Sequence, residues 1–367
     1  MSKSITYKKV AIVHEFLLKM GGAERVVKSM LKAFPDADIY TLVYDEELTH
    51  ANFRGTKIVG SGLQKWPQFI RNKYRLFFPY FRRAVEYWDF SEYDLVISSS
   101  SAFTHGVVTN LNTKHVCYYH SPTRYLWDWH ANYLKEMTIG SLPKLVLSYL
   151  LSAQRTWDFL AAQRPDLVLA NSAHVQKRIS KFYRRESAVL YPPVDVQRFK
   201  VTETDKGYYL YVGALSPYKN VELAVRFFNK IGHPFKIIGD GKQAPFLKSI
   251  VKDNIEFLGN LSDQEVEDYL QNCKALIFPG EEDFGIAPVE AMACGKPVFA
   301  YKRGGAAKTV KQGETGWFFK ENNLYNFEQE FAEFLRNFDQ FKPKTIRKWA
   351  EGFSEEKFLA HLYDTLS

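Results

Sequence analysis

Two glutamates that lie eight residues apart form the pattern in this sequence that most clearly predicts a functional site. Glu282 lies in an acidic loop that follows an apolar run ending at Phe278, and Glu290 lies within the helix that the loop begins. At about 1.5 Å per helical residue, the two carboxylates are up to about 12 Å apart, which is too far to act together on one glycosidic bond. They suit the two hydroxyl-rich ends of one extended ligand. Gly285 and the helix start between them favour an anionic group such as a diphosphate.

This loop and three other motifs each have a second, ordinary interpretation. An acidic loop before a helix is often a capped, solvated turn. Gly21 and Gly22, after the first apolar run, either admit a ligand close to the backbone or form a tight strand–helix turn. His120 ends an apolar run and is either a functional group or a hydrogen-bonded structural residue. His14 and Glu15 either reach a ligand or simply end a strand, so the residue types alone leave these alternatives open.

The sequence predicts no metal site and no nicotinamide cofactor. Asp36 and Asp38 have the D-x-D spacing of metal-dependent transferases, but they precede a strand, as turn residues commonly do. The three cysteines, Cys117, Cys273 and Cys294, are scattered and provide neither a disulfide framework nor metal-ligand spacing. No G-x-G-x-x-G motif opens either half of the chain.

The elements that must position these residues follow a regular rhythm. Short apolar runs alternate with helical patterns, which is typical of parallel sheets covered by helices. The runs lie at residues 10–13, 39–43, 95–98, 116–119, 167–170, 189–191, 208–212, 235–238, 255–258, 275–278, 298–300 and 317–319. Prolines and polar residues at 191–206 indicate a linker, and Ser262 with Glu265 predicts a helix capping box. We therefore predict an α/β fold with two doubly wound domains and a ligand in the cleft between them.

Composition and charge limit the classes of protein to which this sequence can belong. A chain of 367 residues, 46% apolar and 25% charged, is typical of a globular protein of about two domains. The apolar stretch at 145–151 is too short to cross a membrane, and no signal peptide is visible, so we expect a cytoplasmic protein. Residues 1–200 carry 28 Lys and Arg against 17 Asp and Glu, whereas the remainder carries 21 against 24. This asymmetry indicates an anionic partner for the first half.

The stretch at residues 280–297 closely resembles the E-x7-E motif of the retaining family 4 glycosyltransferases, which have the GT-B fold. Segments that match the family in the same order along the chain lie at 21–26, 120–128, 171–172, 191–195, 219–220 and 304–306. The combination is similar to bacterial polysaccharide and O-antigen mannosyltransferases. The resemblance implies two Rossmann-like domains that face each other across a cleft. Residues 1–195 would bind the acceptor, residues 196–345 the nucleotide-sugar donor, and the helical segment 346–367 would pack back on the first domain.

The resemblance also implies roles for individual residues. Three are expected at the reaction centre: His120 beside the donor sugar, Lys219 on the diphosphate and Glu282 on the sugar hydroxyls. Groups expected to bind the donor are Gly21, Gly22, Arg124, Phe284, Gly285, Ile286 and Glu290, the last on the ribose. The family more usually has an arginine where Ala214 stands, so either Arg124, Arg303 or another base supplies the missing cation, or the enzyme is slow or altered.

The implied activity is the transfer of a hexose, with retention of anomeric configuration and without a metal or other cofactor. By analogy with the polysaccharide-assembly enzymes, mannose would move from GDP-mannose, favoured over UDP-sugars, to a glycan acceptor that is lipid-linked. The product would serve cell-surface polysaccharide assembly. Two other functions remain open: a nucleotide-sugar epimerase or hydrolase of the same fold, and a non-catalytic nucleotide-sugar-binding scaffold.

Residues 63–88 interleave six basic with nine aromatic side chains. This pattern suits an anionic membrane surface, where lipid attracts the cations and the rings lie at headgroup depth. The alternative is a solvated helix that packs its aromatic residues inward. No nucleic-acid-binding motif accompanies the charge, so we expect no nucleic acid partner. The sequence thus predicts a peripheral position on the inner face of the membrane.

Overall fold

The computed structural model describes residues 7–71, 73–136 and 140–367. The chain forms two compact units, the first reaching to Tyr191 and including Leu359–Ser367, the second containing Pro192–Phe358. Each unit has its own parallel sheet and its own helices. The predicted pair of doubly wound α/β domains is therefore confirmed.

The first unit contains a seven-stranded parallel sheet. Its strands are β1 (Val10–Leu17), β2 (Asp38–Tyr44), β3 (Ile58–Gly60), β4 (Leu95–Ser100), β5 (Lys114–Tyr119), β6 (Leu167–Ala170) and β7 (Ala188–Val189). Their order in the sheet is β3-β2-β1-β4-β5-β6-β7, so the winding reverses between β1 and β4. Such a reversal opens a crevice beyond the carboxyl ends of the two strands, where ligands of these folds bind.

Helices lie between these strands. They are α1 (Gly22–Ala33), α2 (Glu46–Asn52), α3 (Gln68–Arg71), α4 (Phe78–Tyr87), α5 (His130–Glu136), α6 (Ser141–Ala161) and α7 (Ala173–Tyr183). Burial of an apolar face explains their positions, since α4 covers the core with Phe81, Ala84 and Val85.

The second unit contains a six-stranded parallel sheet in the order β10-β9-β8-β11-β12-β13. The strands are β8 (Tyr209–Val212), β9 (Phe235–Ile238), β10 (Ile255–Gly259), β11 (Ala275–Phe278), β12 (Val298–Tyr301) and β13 (Gly316–Phe319). Here the winding reverses between β8 and β11. The loops that follow β8, β11 and β12, together with the helix after β11, carry the predicted donor-binding residues of this unit.

Eight helices follow β8 in the described chain. They are α8 (Val221–Ile231), α9 (Ala244–Ile250), α10 (Asp263–Asn272), α11 (Ile286–Ala293), α12 (Ala306–Thr309), α13 (Leu324–Arg336), α14 (Pro343–Ala350) and α15 (Glu355–Leu366). The capping box predicted for α10 is confirmed, because the Ser262 hydroxyl accepts from the Glu265 N–H and the Glu265 carboxylate accepts from the Ser262 N–H. Within the described residues, no helix combines the length and apolar character that a bilayer crossing requires.

Candidate functional site

The loop that carries Glu282 is held against the loop after β12. The Gly305 N–H donates to the Glu282 carbonyl oxygen over 2.8 Å. Gly304 has φ +62°, and a Cβ there would lie 2.1 Å from the same oxygen. Since real Cβ atoms do not approach backbone so closely, a glycine is required at this position. The backbone of residues 303–305 thus forms one wall beside Glu282.

Lys219 reaches the same place from the loop between β8 and α8. Its ammonium forms an ion pair with the Glu282 carboxylate, and the two side chains keep 11% and 19% of their surface exposed. The backbones also meet, because a Cβ at Gly280 would lie 2.7 Å from the Lys219 Cα atom. The structure therefore brings these two predicted residues together at the point where the winding of the sheet reverses.

The N-terminus of α11 has a glycine at its cap position. Gly285 precedes the helix with φ +83° and makes no side-chain cap hydrogen bond. Phe284 is buried and its ring packs against Phe353 with 5.8 Å between centroids, which anchors the loop. The first N–H groups of a helix without a side-chain cap carry a partial positive charge and favour a phosphate. Ile286, the first helical residue, belongs to this turn.

Glu290 lies deeper, on the buried helix α11. Its carboxylate is 3.9 Å from the guanidinium of Arg198, and 9% of its side chain is exposed. Arg198 also approaches Asp263 at 3.4 Å and Glu267 at 3.6 Å. Glu290 thus belongs to a charged cluster rather than to an apolar interior, and its expected contact with a ribose stays a prediction.

Ala214 is exposed in the loop that leads to Lys219 and offers no cation there. Of the two replacements named from the sequence, Arg303 is exposed and immediately precedes Gly304, so its backbone lies beside the Glu282 loop. Arg124 belongs to the first unit and is partly exposed. Their roles stay predictions.

In the first unit, a chain of polar contacts crosses the reversal point of the sheet. His120 follows β5, and its Nε2 atom lies 2.8 Å from the Ser99 hydroxyl on β4. The same hydroxyl lies 3.1 Å from Nδ1 of His14 on β1. On its other side, the His14 ring approaches the carboxylate of Glu24 at 3.7 Å. The other Glu24 oxygen accepts from the Gly21 N–H over 2.9 Å, so the chain of contacts runs from His120 to the glycine loop.

Neighbouring charges shift the pKa values of His14 and Glu24 in this chain of contacts. Burial by itself would lower the pKa of His14, but the Glu24 and Glu15 carboxylates outweigh it and raise the pKa above its usual value. Burial would likewise raise the pKa of Glu24, yet contact with His14 lowers it. His14 is 3% exposed, so the interaction is little screened by water.

Glu15, next to His14, faces the opposite side of the strand. Its Oε1 atom accepts from the backbone N–H groups of Ser101, Ala102 and Phe103 at 2.8, 2.9 and 3.1 Å. Burial would raise its pKa, but the charge of His14 and these N–H donors hold the pKa below its usual value. Glu15 therefore fixes the loop after β4 rather than standing free for a ligand, which is the structural interpretation of this strand end.

A buried cluster that the sequence did not reveal extends from the Ser100 hydroxyl. This hydroxyl lies 3.1 Å from Nδ1 of His105, whose Nε2 lies 3.5 Å from Asp158. Asp158 accepts from the Thr123 hydroxyl and the Trp127 indole, each over 2.8 Å. Burial lowers the pKa of His105 and raises that of Asp158. The cluster anchors the segment after His120, and the sequence signal for it is Asp158, the one acidic residue of α6.

Asp38, the second aspartate of the D-x-D pattern, pairs with neighbouring side chains. The Asp38 carboxylate accepts from the Tyr93 hydroxyl over 2.5 Å and pairs with Lys57 at 3.1 Å. Among the described residues, no group of three or more His, Cys, Asp or Glu could hold a metal ion.

Residues 63–88 divide their aromatic side chains between core and surface. Phe81 is buried, whereas Phe69 and Tyr87 are 70% and 90% exposed. Residue 72 and the side chain of Arg75 lie outside the described part of the segment. Exposed apolar side chains also line the first turns of α6: Leu142, Leu145, Val146, Tyr149 and Leu150. In the sequence, part of this helix is visible only as the apolar stretch at 145–151.

Comparison with known proteins matches each half of the chain to a glycosyltransferase family model. Residues 20–198 match the family model "Glycosyltransferase Family 4", and residues 194–351 match "Glycosyl transferases group 1". An uncharacterized glycosyltransferase of Methanocaldococcus jannaschii is 30% identical over 204 residues, which are 54% of this chain and 58% of that protein. The O-antigen chain mannosyltransferase RfbU of Salmonella typhimurium is 30% identical over 151 residues, which are 38% and 43% of the two chains. The chain spans about half the length of the curated relatives it matches.

A solved structure is similar over both units. The crystal structure of Anabaena HepE in complex with UDP-glucose has a TM-score of 0.71 to this chain at 18% identity, covering 98% of this chain and 99% of HepE. At this identity the likeness shows the fold. With the sequence resemblance thereby confirmed, the chain belongs to the GT-B glycosyltransferases that join a family 4 domain to a group 1 domain.

Proposed function

We propose that this glycosyltransferase is a retaining hexosyltransferase. It moves a hexose, mannose by preference, from a nucleotide-diphosphate sugar to a glycan acceptor. The observation that carries the proposal is the Lys219–Glu282 pair in the loops that precede the glycine-capped N-terminus of α11. The Salmonella relative, an O-antigen chain mannosyltransferase, supports mannose as the transferred sugar. We propose a lipid-linked surface glycan as the acceptor. We place GDP-mannose ahead of UDP-sugars, although HepE was crystallised with UDP-glucose.

The chemistry follows from where charge develops. The leaving nucleoside diphosphate gains negative charge in the transition state, so a fixed cation and aligned N–H dipoles lower the barrier. Lys219 supplies a point charge, and the first N–H groups of α11 supply the dipoles. When the donor binds, the diphosphate replaces Glu282 as the partner of Lys219. The released Glu282 carboxylate then accepts hydrogen bonds from the sugar hydroxyls. The reaction needs no metal ion.

The first unit supplies the remaining groups of the proposal. His120 contacts the donor sugar, Gly21 and Gly22 admit the acceptor and the diphosphate, and Arg124 adds positive charge that Ala214 does not provide. Replacing Arg124 and Arg303 separately by Gln identifies the compensating cation, since only its loss raises the KM for the donor.

Turnover of the Lys219→Met and Glu282→Gln variants tests the assignment. Each should lose at least tenfold in kcat, because a charge-stabilising group commonly contributes more than about 1.4 kcal/mol to the barrier. Lys230→Met is the matched control, since Lys230 forms an ion pair with Glu328 at 2.7 Å between α8 and α13. Unchanged turnover in both site variants contradicts the assignment. The anomeric configuration of the product and activity in a chelator test retention and metal independence.

A donor panel decides the nucleotide and the sugar. A donor at about 100 times its Kd stabilises the protein by about 2.7 kcal/mol, which thermal unfolding detects. We expect GDP-mannose to give the largest shift; a larger shift with UDP-sugars would reverse the preference.

Ala214 keeps a second function open, that of a nucleotide-sugar-binding scaffold. Binding of the donor without turnover over a broad acceptor panel would favour the scaffold. A mass balance separates an epimerase or hydrolase, which forms product without an acceptor, from a transferase.

The membrane surface is the proposed partner of residues 63–88, on the cytoplasmic side. Exposed Phe69 and Tyr87 among basic residues suit a surface of anionic lipid. Sedimentation with anionic liposomes at low salt, reversed by high salt, is the expected result. A Phe69→Ser, Tyr87→Ser variant should bind more weakly, with Tyr325→Ser in the second unit, 70% exposed, as the control. No binding at low salt removes the proposal.

A further inference from the structure

We propose that His14 is a charged positioning residue which, through Ser99, holds His120 in a single tautomer, with Glu24 as its counter-charge. The inference rests on the proposed function in one respect, the role of His120 beside the donor. It goes further in assigning tasks to His14 and Ser99, which lie outside the family segments recognised in the sequence, and to Glu24, which lies within the segment 21–26. All of these residues lie in the first unit, at the reversal point of its sheet.

The surroundings of His14 place a proton on both of its ring nitrogens. Nδ1 lies 3.3 Å from the carbonyl oxygen of Ser99, and Nε2 faces the Glu24 carboxylate at 3.7 Å. A carbonyl oxygen and a carboxylate accept hydrogen bonds but do not donate them. Only the imidazolium form both donates from Nδ1 to the carbonyl oxygen and carries the positive charge that the carboxylate attracts. The carboxylate of Glu15, on the same strand, adds to the attraction and agrees with the raised pKa of His14.

A charged His14 gives the hydrogen-bond chain a direction. Because its Nδ1–H donates, the Ser99 hydroxyl at 3.1 Å accepts and its own hydrogen is left for another partner. That partner is Nε2 of His120, 2.8 Å away. His120 therefore accepts at Nε2 and is neutral, with its proton on Nδ1. This single tautomer is the form of His120 that we propose beside the donor sugar.

Glu24 couples this chain to the glycine loop. One carboxylate oxygen faces His14 and the other accepts from the Gly21 N–H at the start of α1. The side chain is 12% exposed, so the pair is partly shielded from solvent. Loss of the charge on either member weakens the hold on Gly21 and on His120 at once, and this coupling separates the proposal from a purely structural role.

Nuclear magnetic resonance of the full chain with 15N-labelled histidine tests the proposal directly. Of the nine histidines, His14 and His120 are assigned by their loss in His14→Gln and His120→Gln variants. We expect His14 to keep its imidazolium form to a higher pH than an ordinary histidine, and His120 to be the Nδ1–H tautomer. Glu24→Gln keeps an acceptor for the Gly21 N–H but removes the charge, so the titration of His14 should move down by about one pH unit or more. A His14 that titrates as an ordinary histidine, or that ignores Glu24→Gln, overturns the proposal.

A second test removes the bridging hydroxyl of Ser99. The adjacent serine, Ser98, provides the control. Ser99→Ala should leave His14 charged while His120 loses its single tautomer. Ser98→Ala removes an equally buried hydroxyl, 2.8 Å from Nε2 of His115, and should alter neither signal. If Ser99→Ala leaves the His120 tautomer unchanged, the bridge is wrong.

Activity measurements distinguish a failure of this inference from a failure of the proposed function. Ser99→Ala should lower kcat about tenfold with little change in the KM for the donor, and Glu24→Gln should move the alkaline fall in kcat to lower pH. If His120→Ala retains full turnover, the proposed role of His120 fails, whereas the resonance measurements still decide the positioning chain. If His120→Ala is inactive but neither Ser99→Ala nor Glu24→Gln changes kcat or its pH profile, the positioning role fails and the proposed function stands.

Discussion

The reversal points of the two sheets are occupied by different kinds of structure. In the first unit, buried side chains from β1 and β4 satisfy one another, with His14 and Glu15 at most 4% exposed. In the second unit, neighbouring loops meet through backbone atoms, and the Lys219–Glu282 pair stays partly exposed. The same topology therefore carries a network of side chains in one unit and a cradle of backbone in the other.

The difference indicates how each region meets a ligand. A buried network is stable only while every polar group has its partner, so it holds a few groups in fixed positions. A cradle of backbone atoms with a helix N-terminus offers donors that need no rearrangement. Its ion pair is accessible enough for a ligand to exchange with one member. We infer that the first unit orients and the second unit binds.

The largest effect is expected when the buried network loses a charge. Glu15→Gln replaces a charged carboxylate, which only accepts hydrogen bonds, by a neutral amide with one accepting oxygen and one donating NH2 group. The N–H donors of residues 101–103 then face a weaker acceptor. The free energy of unfolding at pH 7 should fall by about 3 kcal/mol in urea unfolding followed by tryptophan fluorescence. Because the folded-state pKa of Glu15 is lowered, its contribution is present above the ordinary value of 4.5 and is lost as the pH falls through the folded value.

The difference between Glu15→Gln and the wild type should therefore shrink in measurements below pH 4.5. Glu86→Gln is the control, since that carboxylate of the same unit is 31% exposed and pairs with Arg164. Its cost should stay near or below about 1 kcal/mol. An equal cost at both positions contradicts the distinction between a buried network and an accessible one.

A methyl group added to the backbone cradle should have the next largest effect. Gly304→Ala combines a left-handed backbone with a Cβ 2.1 Å from the Glu282 carbonyl oxygen, so the two loops must separate. We expect a loss of about 2 kcal/mol in thermal unfolding and more than tenfold in donor affinity. Gly313→Ala has a similar φ of +77° but open space around its Cβ, and should cost about 1 kcal/mol with unchanged affinity. Equal donor affinity in the two variants would show that the close approach is not part of the site.

The smallest effect is expected at a local feature outside both regions. Ser262→Ala removes the hydroxyl that caps α10 and should cost about 1 kcal/mol in thermal unfolding without changing donor binding. Ser249→Ala, at the end of α9, removes an exposed hydroxyl bonded to the Phe246 carbonyl and should stay within about 0.5 kcal/mol. A change in donor affinity in Ser262→Ala would extend the cradle beyond the loops described above.

Local patterns predicted most of the fold because they act over short distances. Twelve apolar runs correspond to twelve of the thirteen strands. The strand missed was β3, Ile58–Gly60, which has three residues at the edge of the sheet and is too short for a period to show. The capping box of α10 was visible because its two members are three residues apart. The resemblance to family 4 likewise came from short segments in a fixed order.

The sites were predictable in part. Lys219 and Glu282 were named for one ligand, and the structure brings them together. The pairing of His120 with Ser99 was not visible, since it depends on β4 and β5 being neighbours in the sheet. Glu15 could not be distinguished from a ligand-binding acid, because its partners are N–H groups more than 80 residues away.

The sequence alone determined the alternation of strands and helices, the two-domain class and the family, because periodicity, helix caps and short motifs depend on nearby residues. Tertiary structure alone decided which polar side chains face one another at the reversal points. Burial and strand order set those contacts, and a change in either would give the same residues different partners and different charges. The raised pKa of His14 is an example: a carboxylate on α1 and a carbonyl on β4 contribute to it, and only the folded sheet places them beside the ring.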